Sequence, residues 1–186
     1  MTGLGVVAVL VGYLVGALSP ATLLASRRGV DLRAVGSGNP GATNTARALG
    51  ARAGAAVALL DVLKGLLPAL GFGLLDHTAG LLAGVAAVLG HVTSPLLRGR
   101  GGKGVATAAG AILGSHPAWA VVVLLTWVVV LAVARWTALA SVTAALSLLV
   151  VSLVVRDDVP WATALFLVVL VRHQPNLRRW WEARHA

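Results

Sequence analysis

Long apolar runs with little or no charge constrain this chain more than any other feature. They cover residues 3–25, 54–75, 78–97, 104–115, 117–134, 137–155 and 159–171. A transmembrane helix needs about 20 consecutive, mostly apolar residues. Because 58% of the residues are hydrophobic and only 11% are charged, the chain has too little polar surface to cover a soluble globule. The sequence therefore predicts an all-α integral membrane protein with seven transmembrane helices, in one domain over residues 1–186.

Two of the predicted spans are short. The first arises because Gly114-Ser115-His116-Pro117 divides the uncharged stretch 104–134, since proline ends a helix. Helices over 104–115 and 159–171 would rise only about 18 Å and 20 Å, against a hydrocarbon core of roughly 30 Å. Their inner ends, at residues 101–104 and 172–173, are then expected below the membrane surface. Non-helical backbone at that depth must be buried or line a wet cavity, which predicts reentrant glycine-rich loops and a polar pocket.

The basic residues predict the orientation of the chain. Apart from Lys64 in the second run and Arg156, every lysine and arginine falls on one side if there are seven spans. By the positive-inside rule the N-terminus lies outside, and the C-terminus and the glycine-rich loops lie on the cytoplasmic side. The net charge of +9 then reflects membrane topology, so we expect no nucleic-acid partner. Residues 1–26 carry no charge, which indicates a retained first span rather than a cleaved signal.

A polar, glycine-rich stretch over residues 35–50 is long enough to build a binding site. The expected anion contacts are the amides of Gly36, Gly38 and Gly41, the hydroxyl groups of the stretch and Arg47, and Asn39-Pro40 indicates a turn. Amides, hydroxyls and an arginine together favour a phosphate. We expect Asn44 or Thr45 to cap a short helix that carries Arg47. A glycine-rich connecting loop with a surface arginine explains this stretch equally well.

A second glycine-rich segment, Gly101-Gly102-Lys103-Gly104, precedes the fourth run. It is not a Walker A motif, because Leu97 stands where glycine is required and Gly104 stands where serine or threonine would bind magnesium. A glycine loop that leads into a helix N-terminus and carries a lysine still suits an anion. A purely structural turn would not need Lys103.

Ionisable residues also occur within or at the ends of the spans. Asp61 and Lys64 are three residues apart in the second span, and they form either a functional site or an ion pair that fixes packing. His91 in the third span has a packing role or a functional one. Near the last span, Arg172, His173 and Asn176 share one helix face by their spacing.

Several kinds of enzyme site are absent from the sequence. There is no cysteine, no histidine followed five residues later by aspartate, no Gly-x-Ser-x-Gly elbow and no metal-ligand spacing. We therefore expect no metal and no cofactor. If the protein is an enzyme, its substrate must bring its own activation.

Six elements, in order, carry a resemblance to a known family. They are Gly36–Asn44, Thr45–Gly50, Leu60–Gly65, Gly90-His91, Gly101–Thr107 and Arg172-His173 with Asn176. Together they resemble the bacterial acyl-phosphate:glycerol-3-phosphate acyltransferases of the PlsY family. The resemblance implies transfer of an acyl chain from acyl phosphate to glycerol 3-phosphate in the bacterial inner membrane, giving lysophosphatidic acid and inorganic phosphate. This is the first acylation of phospholipid synthesis.

The resemblance also implies the site residues. The catalytic set is Lys103, His173, Ser141 and Asn176, and the substrate-binding set is Ser37, Gly38, Asn39, Arg47, Gly101, Gly102 and Gly104. Ser141 follows from the resemblance alone. The expected partners are acyl phosphate, glycerol 3-phosphate and membrane lipid, and we expect a monomer whose site faces the cytoplasm.

An acyl phosphate is a mixed anhydride, so positioning and charge stabilisation suffice without a protein nucleophile. We hypothesise that Lys103 and the amides of Gly101 to Gly104 hold the acyl-phosphate group, while Arg47, Ser37 and His173 hold glycerol 3-phosphate. The base is either His173 or a substrate phosphate. The alternative function is a phosphate or organic-anion transporter, which should offer basic groups on both faces. A membrane subunit with only a packing role would not need the buried lysine and the glycine loops.

Overall fold

The computed structural model describes residues 2–185, and the side chains of residues 2–182. Within these residues the regular structure is helical, with nine α-helices and one 3₁₀ turn at Pro95–Leu97. The helices are α1 (Gly3–Ala17), α2 (Pro20–Ser26), α3 (Ala42–Leu49), α4 (Ala51–Gly73), α5 (His77–Thr93), α6 (Val105–Ser115), α7 (Pro117–Ala134), α8 (Thr137–Val155) and α9 (Val159–His185). The all-α prediction is confirmed.

Five helical segments are long and apolar enough to cross a membrane. They are Gly3–Ser26, Ala51–Gly73, His77–Leu97, Pro117–Ala134 and Thr137–Val155. The helix α6 is apolar but has only 11 residues, as expected from the break before Pro117. The seven-span topology stays a prediction.

The first predicted span is not one helix. It is interrupted between α1 and α2, because Pro20 has no N–H to continue the ladder and Ser19 caps the new helix. Carbonyl groups at the break find side-chain donors elsewhere in the chain. Lys64 Nζ donates to Leu18 O at 2.7 Å, and Ser94 Oγ donates to Ala17 O at 2.6 Å. Such partners are what a helix break at membrane depth requires.

The last predicted span also differs from the structure. The helix α9 does not end at residue 171 but runs to His185, with Pro175 inside it. The predicted last span, 159–171, is therefore too short as a helix, and Arg172 and His173 are helical, as their predicted shared face with Asn176 requires. Arginine, histidine and glutamine all have ordinary helix propensities, so the loss of hydrophobicity after Val171 does not end the helix.

The chain forms two compact units, residues 1–115 and 116–186. The single domain expected over 1–186 stays a prediction. In the first unit, α1 packs closely on α5. Gly12 and Gly16 face Ala83 and Ala87, and a Cβ atom at either glycine would overlap the facing alanine backbone. Small residues four apart on both helices allow this approach, as is common between membrane helices.

In the second unit, α8 packs against both α7 and α9. The chain enters α7 at His116, whose Nε2 lies 2.8 Å from Asp158 Oδ2, just before α9. The His116 ring also stacks on Trp119 with centroids 4.0 Å apart. These contacts hold the starts of α7 and α9 together.

Candidate active site

The first glycine-rich loop is organised by one buried side chain, Asn44. Its Oδ1 accepts a hydrogen bond from the Ser37 amide at 3.0 Å. Its Nδ2 donates to Leu32 O at 2.9 Å and to Val35 O at 3.0 Å. Because Asn44 is only 1% exposed, these bonds replace water for all of its polar atoms. The fold of the loop therefore depends on Asn44.

The expected helix cap at Asn44 or Thr45 is wrong. The helix α3 does carry Arg47, but Gly41 is its N-cap and no side chain caps it. Asn44 and Thr45 lie inside the helix, where Thr45 Oγ1 donates to Gly41 O at 3.1 Å. The Asn44 side chain instead points to the preceding loop, where it makes hydrogen bonds with the Ser37 amide and with two carbonyl groups.

The structure brings Ser37 and Arg47 to the same part of this loop. A Cβ placed on Gly36 would lie 3.7 Å from Arg47 Cδ, so the arginine side chain passes beside the residue before Ser37. Gly36 has a φ of 56°, which favours glycine. Both Ser37 and Arg47 are exposed, as a site open to a soluble phosphate requires.

Two of the three glycine amides expected in the nest are used within the loop. The Gly38 amide donates to Val35 O at 3.0 Å, and the Gly41 amide donates to Asn39 O at 2.9 Å. With the Ser37 amide bound to Asn44, side chains become the main anion-binding groups. The hydroxyl of Ser37 and the guanidinium of Arg47 are the strongest of these.

The second glycine-rich loop packs against the end of α5. The Gly101 amide donates to Val92 O and the Gly102 amide donates to His91 O, both at 3.2 Å. A Cβ on Gly101 would overlap the His91 carbonyl, and one on Gly102 would overlap His91 Nε2. Glycine is therefore required for close approach, and these two amides satisfy carbonyl groups at the end of α5 rather than standing open to a ligand.

Lys103 follows this packed segment and is half-buried. Gly104, with a φ of 83°, turns the chain into α6. The lysine therefore sits directly before a helix N-terminus, as the sequence predicts. Helix dipole and ammonium charge act together on an anion at this position.

Arg33 joins the two loops. Its Nη2 donates to Leu97 O at 3.1 Å, in the 3₁₀ turn before the second loop. Its own amide is held by Asp31 Oδ1 at 2.9 Å. From the sequence, Arg33 is only one of the cytoplasmic charges, and no motif around it predicts this contact.

The second unit holds Ser141, His173 and Asn176. Ser141 lies fourteen residues before the end of α8 at Val155, and His173 lies fourteen residues after the start of α9 at Val159. Since the two helices run in opposite directions and pack together, both residues lie about 21 Å from the turn that joins them. Asn176 is one turn beyond His173, which confirms their shared helix face.

His173 is 2% exposed, and its Nδ1 lies 2.8 Å from Val169 O. A carbonyl oxygen only accepts hydrogen bonds, so Nδ1 carries the proton. In the neutral ring the lone pair then lies on Nε2, the form in which histidine acts as a base.

Ser141 makes two hydrogen bonds with opposite roles. Its Oγ donates to Thr137 O at 2.8 Å and accepts from Trp127 Nε1 at 3.2 Å. No motif predicts the role of Trp127. Its indole lies in the middle of a mostly aliphatic span, and this position was the available signal, because the indole N–H needs an acceptor inside the membrane.

The chain closely resembles proteins of one kind. The family model described as glycerol-3-phosphate acyltransferase matches residues 6–183. The glycerol-3-phosphate acyltransferase of Aquifex aeolicus (strain VF5) is 39% identical over 178 residues, 92% of each chain. That of Geobacter sulfurreducens is 42% identical over 175 residues, 91% of this chain and 90% of the relative.

Two crystal structures are also similar to this chain. PlsY, an integral membrane glycerol 3-phosphate acyltransferase, in its glycerol 3-phosphate form has a TM-score of 0.91 and 36% identity. Its lysophosphatidic acid form has a TM-score of 0.88 and 35% identity. Both alignments cover 98% of this chain and 94% of the other.

Proposed function

The chain belongs to the glycerol-3-phosphate acyltransferase family, and we propose that it uses an acyl phosphate as its acyl donor. The 1-hydroxyl of glycerol 3-phosphate attacks the acyl carbon, an ester bond forms and the acyl–phosphate bond breaks. The bonding electrons leave with inorganic phosphate, and the hydroxyl proton passes to a base. The product is lysophosphatidic acid, so the enzyme performs the first acylation of phospholipid synthesis. One observation supports the acceptor and the product: the similar PlsY structures are a glycerol 3-phosphate form and a lysophosphatidic acid form.

The enzyme is an integral membrane protein, and we propose its topology from charge and helix length. Seven spans, with the N-terminus outside, leave nearly every basic residue on the cytoplasmic face. The 11 residues of α6 rise about 17 Å, little more than half of the hydrocarbon core. The glycine loop before α6 is then reentrant from the cytoplasm, and the enzyme works at the inner face of the bacterial inner membrane. This one-sided charge also argues against the transporter alternative.

We assign glycerol 3-phosphate to Ser37 and Arg47. A guanidinium matches a phosphate with two parallel hydrogen bonds, and the serine hydroxyl adds a neutral one. Gly38 and Asn39 shape the loop that presents Ser37, since the Gly38 amide is used within the loop.

We assign the acyl-phosphate group to Lys103. Close packing at Gly101 and Gly102 and the turn into α6 at Gly104 support this lysine. The amides of these glycines contribute less to phosphate binding than the sequence predicts. The lysine charge stabilises the phosphate that leaves. Because the donor is already activated, no metal or cofactor is needed.

We assign the reacting hydroxyl to His173, Ser141 and Asn176. The His173 ring, protonated at Nδ1, offers Nε2 as the base. Ser141 and Asn176 orient the polar groups of the reaction around this ring. We propose that residues 1–186 form a single domain and that the protein acts as a monomer.

The direct test uses the purified full-length protein with acyl phosphate and glycerol 3-phosphate. We expect equal amounts of inorganic phosphate and lysophosphatidic acid, and much slower product formation when acyl-CoA replaces acyl phosphate. Equal rates with both donors would refute the assignment of the donor. Omission of glycerol 3-phosphate controls for simple hydrolysis of the donor.

A further inference from the structure

Three buried polar side chains of the first unit have no part in the proposed reaction. Asp61 and Lys64 lie in α4 and His91 lies in α5, and each is less than one-tenth exposed. Lys64 Nζ is 2.9 Å from Asp61 Oδ1, so the predicted ion pair forms. A buried pair of this kind often contributes little net stability compared with apolar residues. Net stability therefore does not explain why this ion pair lies at membrane depth, where ionisable residues usually have a function.

The contacts of this pair extend in two directions. On one side, Lys64 Nζ donates to Leu18 O at the break between α1 and α2. On the other side, Asp61 Oδ1 lies 3.6 Å from His91 Nδ1. The three side chains thus connect the broken first span with α4 and α5.

His91 carries the connection to the second glycine-rich loop. Its carbonyl accepts the Gly102 amide at 3.2 Å, and its ring stands where a Gly102 side chain would be. A flexible glycine segment loses much conformational freedom when it is ordered, so it needs such support from neighbouring residues. These contacts end at Gly102, one residue before Lys103.

We propose that Asp61, Lys64 and His91 are positioning residues that hold the second glycine-rich loop and thereby fix the place of the Lys103 ammonium group. This inference rests on the proposed function, in which Lys103 binds a substrate phosphate. Catalysis by positioning is sensitive to displacements of about 1 Å. Loss of the network should therefore act on the same substrate contact as loss of the lysine.

The first experiment removes both charges together in the full-length variant D61N/K64M. Joint removal avoids leaving one buried charge alone. We expect a folded protein in which hydrogen exchange of residues 99–107 is faster, exchange of residues 36–41 is unchanged, and kcat/KM falls at least about tenfold. The KM should rise for acyl phosphate, the substrate assigned to Lys103. Wild-type exchange and wild-type kcat/KM in the folded variant would overturn the proposal.

The second experiment tests the His91 contact with a matched pair of glycine variants. An added Cβ at Gly102 meets the His91 ring, whereas one at Gly101 meets the His91 backbone carbonyl. Because His91→Ala removes the support of the ring as well as the overlap, it should lower loop protection and activity by itself. It should restore both properties of Gly102→Ala up to this lowered level, and it should restore neither in Gly101→Ala. Equal behaviour of the two pairs would refute the proposal, even if D61N/K64M fails to fold.

The exchange measurement separates this inference from the proposed function. If the wild-type protein releases no phosphate from acyl phosphate, the proposed function fails. The exchange rates of residues 99–107 in the same variants still decide whether the network holds the loop.

Discussion

Asn44 Oδ1 accepts a hydrogen bond from the Ser37 amide at 3.0 Å, and this bond ties the first turn of α3 to the loop that precedes it. Together with the two carbonyls bound by its Nδ2, Asn44 replaces the regular structure that the loop lacks. The position of Ser37 beside Arg47 depends on this one side chain.

We expect Asn44→Ala to destabilise the protein by about 2–4 kcal/mol, since three hydrogen bonds are lost and buried groups stay unsatisfied. Thr45→Val is the matched control. Thr45 is equally buried, but within the described residues its side chain makes one hydrogen bond, to the carbonyl of Gly41 at the start of its own helix. Thermal unfolding in detergent should place Asn44→Ala well below Thr45→Val. Similar unfolding temperatures would mean that the loop is held by other contacts.

Lys103→Met should abolish acyl transfer while the protein stays folded, because the lysine acts on the charge of the substrate. Arg100→Met is the control, since it removes one positive charge from an exposed position of the same loop. Phosphate release should persist in the control and vanish in Lys103→Met. Normal turnover of Lys103→Met would remove this loop from the site.

Arg47→Ala should mainly raise the KM for glycerol 3-phosphate. Its guanidinium is assigned to a phosphate that does not react, so it binds ground and transition states alike. Loss of a charge-assisted contact of about 1.5–3 kcal/mol corresponds to roughly tenfold or more in affinity. Arg52→Ala, at an exposed position at the start of α4, should leave this KM unchanged. A fall in kcat alone would assign Arg47 to the chemical step instead.

The sequence predicted the parts of this fold that local patterns determine. The spans 117–134 and 137–155 agree with α7 and α8 to the residue, because proline and arginine mark the ends of uncharged runs. The break at Leu18 was missed, since the donors that make it tolerable, Lys64 and Ser94, lie far along the chain. The sequence identified the motif residues. It did not predict the role of Asn44, because that role depends on hydrogen bonds to a loop, and a periodic sequence pattern does not reveal such bonds.

Trp127 is expected to act on the reaction only through Ser141. Trp127→Phe removes the hydrogen bond to Ser141 Oγ and keeps an aromatic ring, so kcat should fall by less than in Ser141→Ala. In the double variant the Trp127 substitution should have no further effect on kcat, as expected when two residues act as one unit. Additive losses would show that Trp127 acts independently of Ser141.

His173→Ala should lower kcat by about 10²–10⁴-fold, the usual contribution of a positioned acid or base. The reason lies in the Nδ1 bond to Val169 O, which directs the Nε2 lone pair away from the helix backbone. His116→Ala is the control, because the His116 ring at the start of α7 makes its hydrogen bond with Asp158 instead. Both kcat and KM should be measured for each variant across neutral pH. If His173→Ala keeps full turnover over that range, a substrate phosphate takes the hydroxyl proton, and His173 serves only to orient the acceptor beside Asn176.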